Sequence, residues 1–349
     1  MDSVFLLLVI VVALALVFDY INGFHDTANA VATVVSTNVL PGRVAVLLAG
    51  VMNFAGAFAG VGVAKTIGGD IAKPSEVTQI VVAAALLGAI FWNLLTWYFG
   101  IPSSSSHALI GGLVGAVWCH EVTGGESMWT ALRGLALSPG FILVLKALFL
   151  SPLIGMLVGF TLMVILLWLV RGTSPAKVNR NFRVLQLGSA GFMAFSHGSN
   201  DAQKSMGIIT MALIAYSAHR GRASTNDLSI PFWVILSCAT AMGLGTASGG
   251  WRIMKTMGHK IIKLRPIHGF AAETAAAIVI MTASYLKAPV STTHVISASI
   301  MGVGASKRVS AVRWGVAQNI LLAWVLTIPI SAVVAALTYI LMCTLLGDL

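Results

Sequence analysis

The sequence predicts an all-α polytopic membrane protein assembled from two repeated halves. Three observations carry that expectation. The 349-residue chain is 58% hydrophobic and only 9% charged, with a mean hydropathy of +0.92, whereas soluble domains carry about 25% charged residues. Apolar runs near the roughly 20 residues a helix needs to cross a bilayer recur along the chain. Two polar signatures, set in apolar surroundings, each occur twice and in the same order.

Runs near 3–21, 44–64, 79–99, 141–169, 232–247, 269–286 and 314–346 read as spanning helices, and two of the runs are long enough to be helical hairpins. Shorter apolar pieces lie near 28–40, 103–119, 185–195, 206–217 and 290–304. Together they predict roughly ten to twelve membrane-embedded helices, several of them short. The opening MDSVFLLLVIV has Asp2 and no Lys or Arg before its apolar run, which predicts a retained first helix rather than a cleaved signal.

The net charge of +10 does not point to nucleic acid. The basic residues concentrate between apolar runs, as Arg171, Lys177, Arg180 and Arg183, and as Arg252, Lys255, Lys260, Lys263 and Arg265. Such clusters mark cytoplasmic loops. Cys119, Cys238 and Cys343 have neither metal spacing nor a disulfide framework and read as packing residues. The chain divides into a first transmembrane repeat (1–170), a basic cytoplasmic connector (171–184) and a second repeat (185–349).

GFHDTANAVAT, from Gly23, and GSNDAQKSMGI, from Gly198, lie 175 positions apart. That offset pairs Asp26 with Asp201, His25 with Asn200, and Asn29 with Lys204. PSSSSHALIGGLVG, from Pro102, and PVSTTHVISASIMG, from Pro289, lie 187 positions apart. This pairs Ser104 with Ser291, Ser105 with Thr292, Ser106 with Thr293, and His107 with His294. Duplicated membrane halves are a transporter trait, with sites where interrupted helices meet near the midplane.

Of eleven acidic residues, Asp2 and Asp348 are terminal, and Asp70, Glu76, Glu121, Glu126 and Asp227 fall in polar loops. Asp19, Asp26, Asp201 and Glu273 remain at membrane depth, where a carboxylate costs about 2.5–3.5 kcal/mol on insertion scales. Such residues face a cavity and bind a cation or proton. Asp26 and Asp201 lead because they are repeat mates set among Asn22, Thr27 and Asn29, and among Ser199, Asn200 and Gln203. Gly23 and Gly198 permit helix breaks that free carbonyls for a cation. Glu273, in HGFAAETAAAIVI, reads as a proton or cation site or as a bridge to a basic loop residue. Asp19 has no mate. Lys204 shares a helical face with Asp201 and either holds an anion or neutralises that carboxylate.

The serine runs read as helix starts. A proline at the first helical position gives up no needed N–H, and the next N–H groups have no intrahelical partner. Hydroxyls of Ser103, Ser104, Ser105, Ser106, Ser291, Thr292 and Thr293 add donors beside them. A helix start of this kind binds an oxyanion without a full basic charge, and two facing one another suit a tetrahedral anion. Back-bonding to carbonyls or helix glue explains an isolated serine, but poorly a run of four with a near copy. His107 and His294 end the runs, and His25 and His197 flank the aspartates; each can donate, carry a proton or be plainly hydrogen-bonded.

From GFHDTANAVAT through IPSSSSHALIGG and FSHGSNDAQKSMG to PVSTTHVISASIMG, nearly the whole chain resembles the PiT family of inorganic phosphate transporters. The resemblance implies two inverted structural repeats, with broken helices or re-entrant half-helices meeting at the midplane of a bacterial inner membrane. It implies phosphate symport with H⁺ or Na⁺, in several bacterial members as a metal–phosphate complex. Asp26 and Asp201 become the cation or proton residues, supported by Asn29, Asn200 and Glu273. The serine-run residues become the phosphate ligands, with His25, His107, His294, Lys204, Gln203 and Asn53 as auxiliaries. Two departures tilt the expectation toward protons. Asn53 stands where many members have an acid whose second-half equivalent is Glu273, and AQKS replaces a more Asn-containing motif. The chain also lacks the long central loop of animal members.

The expected function is therefore a phosphate symporter working by alternating access, with a sulfate permease of the same fold or a passive anion channel as alternatives. A hydrolase is disfavoured because no G-x-S-x-G elbow is present. No cofactor is expected beyond the co-transported cation, and the expected partners are phosphate, that cation, the lipid bilayer and a second copy of the chain.

Overall fold

The computed structural model describes residues 3–69, 77–221 and 229–346; Asp2, Asp70, Glu76, Asp227 and Asp348 lie outside them. Among the described residues there are thirteen α-helices and one 3-10 turn, and no strand. The first half runs α1 (Ser3–Ser36), α2 (Gly42–Gly56), α3 (Gly62–Gly69), α4 (Gln79–Phe99), α5 (Ser105–Thr123), α6 (Met128–Ala136) and α7 (Pro139–Leu169). The second runs α8 (Pro175–His219), α9 (Phe232–Ser248), α10 (Trp251–His259), α11 (Pro266–Tyr285), α12 (Thr292–Lys307) and α13 (Trp314–Leu346).

The order repeats: a long helix carrying the Asp motif, a helix followed by a short one, an apolar span, a serine-capped helix, and a long helix with an internal proline. Those prolines are Pro152 and Pro329. Each lies within one continuous helix, so the two long runs are single helices and not hairpins. α9 and α10 bend by 68°, with Gly249 at φ +78°, a conformation that glycine adopts without strain.

Five described helices are long and apolar enough to cross a membrane, or six if α9 and α10 form one bent span. Several expected pieces are therefore fused or short. The pieces near 3–21 and 28–40 belong to α1, and those near 185–195 and 206–217 belong to α8, a 45-residue helix about 68 Å long at 1.5 Å per residue. The run near 44–64 is split between α2 and the start of α3. Residues 175–184 of the expected connector form the first turns of α8. Glu121 lies on the last turn of α5.

Packing is reciprocal across the halves. α1 packs on α9 while α8 packs on α2, and α5 packs on α13 while α12 packs on α7. Gly115 and Gly302, 187 positions apart, sit at the latter crossings. A Cβ on them would stand 2.1 Å from the Ala332 carbonyl oxygen and 2.0 Å from that of Met156. Without lipid contact as a driving force, such close backbone approach is what membrane helices use to associate. Outward faces carry Phe149, Leu153 and Leu157 of α7 and Val325 and Leu337 of α13, all exposed, as a lipid-facing surface requires.

Gly23 and Gly198 do not break α1 or α8. A Cβ at Gly23 would lie 2.5 Å from Met242 O, and one at Gly198 would lie 2.2 Å from Asn53 O. The glycines serve close approach. Gly198→Val is expected to destabilise the protein by about 1–3 kcal/mol or more, the usual cost of overpacking. Gly188→Ala, where a Cβ meets nothing within 4 Å, is expected to be neutral or stabilising by up to about 1 kcal/mol. Thermal unfolding of the detergent-solubilised variants measures both.

Candidate functional site

α5 and α12 begin inside the protein. Ser104 and Ser291 are their N-caps, and each hydroxyl accepts from the third helical N–H, that of His107 (3.1 Å) and of His294 (3.2 Å). Pro102 and Pro289 thus precede the caps instead of occupying the first helical position. They stiffen the extended approach to each helix. The N–H groups of Ser105, Ser106, Thr292 and Thr293 have no partner within their helices.

The two starts meet. The His107 and His294 rings lie 4.8 Å apart, and His294 stacks on Trp324 at 3.8 Å. α1 and α8 each send one residue to the opposite run. Asn29 Nδ2 donates to Thr293 Oγ1 (2.9 Å) and Thr292 Oγ1 (3.3 Å). Its mate Lys204 donates to the hydroxyl of Ser106, the mate of Thr293, and to Val290 O at 2.9 Å. The aspartates lie between. Thr293 Oγ1 donates to Asp26 Oδ1 (3.4 Å), Thr292 Oγ1 donates to Asp201 Oδ2 (3.0 Å), and Lys204 binds Asp201 Oδ1 directly. His25 Nδ1 lies 2.7 Å from Asp26 Oδ1, and His197 Nε2 lies 3.1 Å from Asp201 Oδ2. Ligand atoms of Asp26, His197 and Asp201 all fall within 4.8 Å of one another. All these side chains are buried, so the site is closed to solvent.

A chain of hydrogen bonds sets the His197 tautomer. Thr246 Oγ1 spends its proton on Met242 O (2.9 Å) and accepts from Asn53 Nδ2 (3.1 Å). Asn53 Oδ1 then faces His197 Nδ1 at 2.8 Å, which assigns the ring proton to Nδ1. His197 Nε2 is then the ring nitrogen that faces the two carboxylates. Such a trio suits a proton or a cation.

With this geometry in view, the PHO4 phosphate transporter family matches residues 22–177 and 171–335. The chain belongs to the phosphate transporter family. It is 51% identical to a Bacillus subtilis protein named "Probable low-affinity inorganic phosphate transporter", over 98% of this chain and 99% of that one. It is 50% identical to a Rhizobium meliloti protein of the same name, over 96% of each. A solved structure titled "The sodium-dependent phosphate transporter" superposes with a TM-score of 0.81 at 25% identity, covering 97% of this chain and 100% of that one. The transporter is accordingly a multi-pass protein of the bacterial cytoplasmic membrane, and its family is one of transport proteins rather than enzymes.

The transporter's other expected residues spread around this centre. Ser103 Oγ donates to Thr96 Oγ1 (2.8 Å), which also lies 3.0 Å from His25 Nε2. Asn200, the mate of His25, turns away from the carboxylates and donates to Ser284 (2.9 Å). Gln203 accepts from Val63 N (2.8 Å) and fastens α3. Among the described residues, Ser105 Oγ and both ring nitrogens of His107 and of His294 are buried without a hydrogen-bond partner, and Asp19 is buried beside Ser205 and Cys238.

Glu273 forms a separate centre. It accepts from Thr33 (2.5 Å), Gln186 (3.0 Å) and Ser189. None of these is basic, which removes the bridge to a basic loop residue. Asn53 is not its counterpart either. Asn53 is on α2, whose repeat mate is α9, and it bonds Thr246 there, whereas Glu273 is on α11, the mate of α4. Sequence reading did not find the Thr246–Asn53–His197 chain. The one available signal was His197 lying a single helical turn before Asp201.

Ser291→Ala, which removes an N-cap, is expected to lower stability by about 1 kcal/mol. Ser297→Ala removes a buried hydroxyl with no hydrogen-bond partner and is expected to be neutral or stabilising. Paired melting curves with and without phosphate read the difference.

Proposed function

We propose that this transporter takes up inorganic phosphate together with H⁺ or Na⁺, as a secondary active symporter in which two inverted repeats alternate access to one central site. The observation that carries the reading is the meeting of two capped helix starts, one from each half, beside Asp26 and Asp201. Unpaired N–H groups and the Ser104, Ser105, Ser106, Ser291, Thr292 and Thr293 hydroxyls suit a tetrahedral oxyanion. Phosphate is the substrate named for the relatives, and sodium dependence is named for the fold neighbour.

A carboxylate beside that anion opposes its binding. Two unit charges about 4 Å apart repel by about 4 kcal/mol at an effective dielectric of about 20, worth nearly a thousandfold in affinity. A proton or cation held by Asp26, His197 Nε2 and Asp201 offsets that repulsion, so anion and cation favour each other's binding. The same nitrogen and carboxylate oxygens suit a divalent metal entering as a metal–phosphate complex. A passive channel gains nothing from these carboxylates, and the closed, buried site favours a carrier.

In proteoliposomes given Na⁺ and pH gradients separately, labelled phosphate is expected to accumulate above its external concentration under one of them. Mere equilibration would leave a channel, and stronger competition by sulfate than by unlabelled phosphate would reassign the substrate. Asp26→Asn is expected to insert normally and to lose coupled uptake at least 100-fold. Near-normal uptake by that variant would refute the role given to Asp26.

A further inference from the structure

The two halves treat their carboxylates differently. Asp26 has the neutral amide Asn29 one turn later, whereas Asp201 has Lys204 at the repeat-equivalent position. Lys204 is completely buried. Its ammonium has three N–H donors, and three protein oxygens receive them: Asp201 Oδ1, Ser106 Oγ and Val290 O. A carboxylate, a hydroxyl and a main-chain carbonyl exposed at a helix start are the oxygen types that hold a small hard cation. They come from three separate segments: α8, α5 and the approach to α12.

We propose that Lys204 is a tethered cation occupying the second of two pseudo-equivalent cation positions, so that only the Asp26 position exchanges its ion during transport. The inference rests on the symport reading above. Asp26, Asp201 and Lys204 together carry one net negative charge, so one proton or monovalent cation neutralises the cluster before the anion is enclosed. An ammonium on a flexible stem acts as a compact point charge, and this one is held within the ligand set a mobile ion would use. With all three donors spent on protein, Lys204 has none left for phosphate in this closed arrangement. It therefore lowers the number of ions spent per phosphate without acting as a substrate ligand. Asn29 repeats the geometry without the charge, reaching Thr293 as Lys204 reaches its mate Ser106.

The test is the coupling ratio in proteoliposomes, read as the cation gradient that just balances a fixed gradient of inorganic phosphate. The symport reading itself fails if the wild-type protein does not accumulate phosphate under any cation gradient. Given accumulation, Lys204→Asn, which installs the first-half residue, is expected to raise the ratio by one cation per phosphate. An unchanged ratio with persisting uptake overturns the proposal. So does a phosphate KM raised 100-fold or more at an unchanged ratio, because that marks a substrate ligand. If Lys204→Asn is inactive, the double variant Asp201→Asn/Lys204→Asn decides, since it removes both charges together. It is expected to transport more slowly at the wild-type ratio; inactivity or an altered ratio overturns the proposal.

Discussion

The structure is organised by the need to keep two carboxylates in a dry interior. The backbone of its own helix stabilises neither Asp26 nor Asp201, because an α-helix spends its N–H groups on itself. Side-chain donors must supply what the backbone cannot: Thr293 of the opposite half on Asp26, Thr292 and Lys204 on Asp201, and Lys204 in turn donates to Ser106 of the opposite half. That demand explains why α5 and α12 start in the middle of the protein and why their first turns are hydroxyl-rich. It also explains the glycines. α1 and α8 carry the aspartates, and they come close enough to the neighbouring backbones only where a side chain is missing.

On that scaffold the two halves have diverged in charge more than in geometry. Asn29 and Lys204 reach equivalent partners, while His25 bonds Thr96 on α4 and Asn200 bonds Ser284 on α11. His197 belongs to the second half, but its ring is oriented through Asn53 of the first and Thr246 of the second. The site is thus nearly symmetric in shape and strongly asymmetric in electrostatics. Asp201 has the Lys204 ammonium on it, whereas Asp26 has the neutral amide of Asn29 at the equivalent position.

Much of this was legible in the chain because the site is built from contiguous motifs. Both Asp motifs and both serine runs could be paired by offset alone, and one such pairing has matching contacts: Asn29 reaches Thr293 as Lys204 reaches Ser106. The helix boundaries were less legible for the same reason. The polar run Ser196–Lys204 that furnishes the site interrupts the apolar signal of α8, so hydropathy divides one 45-residue helix into a basic loop and two short pieces. Asn53 misled because it lies at membrane depth in an otherwise apolar helix, as a neutralised acid would. Its real partners, His197 and Thr246, are 144 and 193 residues away and share no local pattern with it. The caps were displaced from the prolines because Ser104 and Ser291 compete better for the N-cap position than proline does for the first turn.

The sequence separation of the site's contacts bears on how the protein is made. Thr293 meets Asp26 across 267 residues of chain. During synthesis α1 therefore enters the bilayer with its aspartate long before the hydroxyl that will satisfy it exists. Until then that charge must be carried protonated, hydrated or shielded. The extra length of α1 and α8 beyond a bilayer's thickness offers one remedy. A long helix can sit high enough to keep its carboxylate at the interface and slide inward only when α12 arrives.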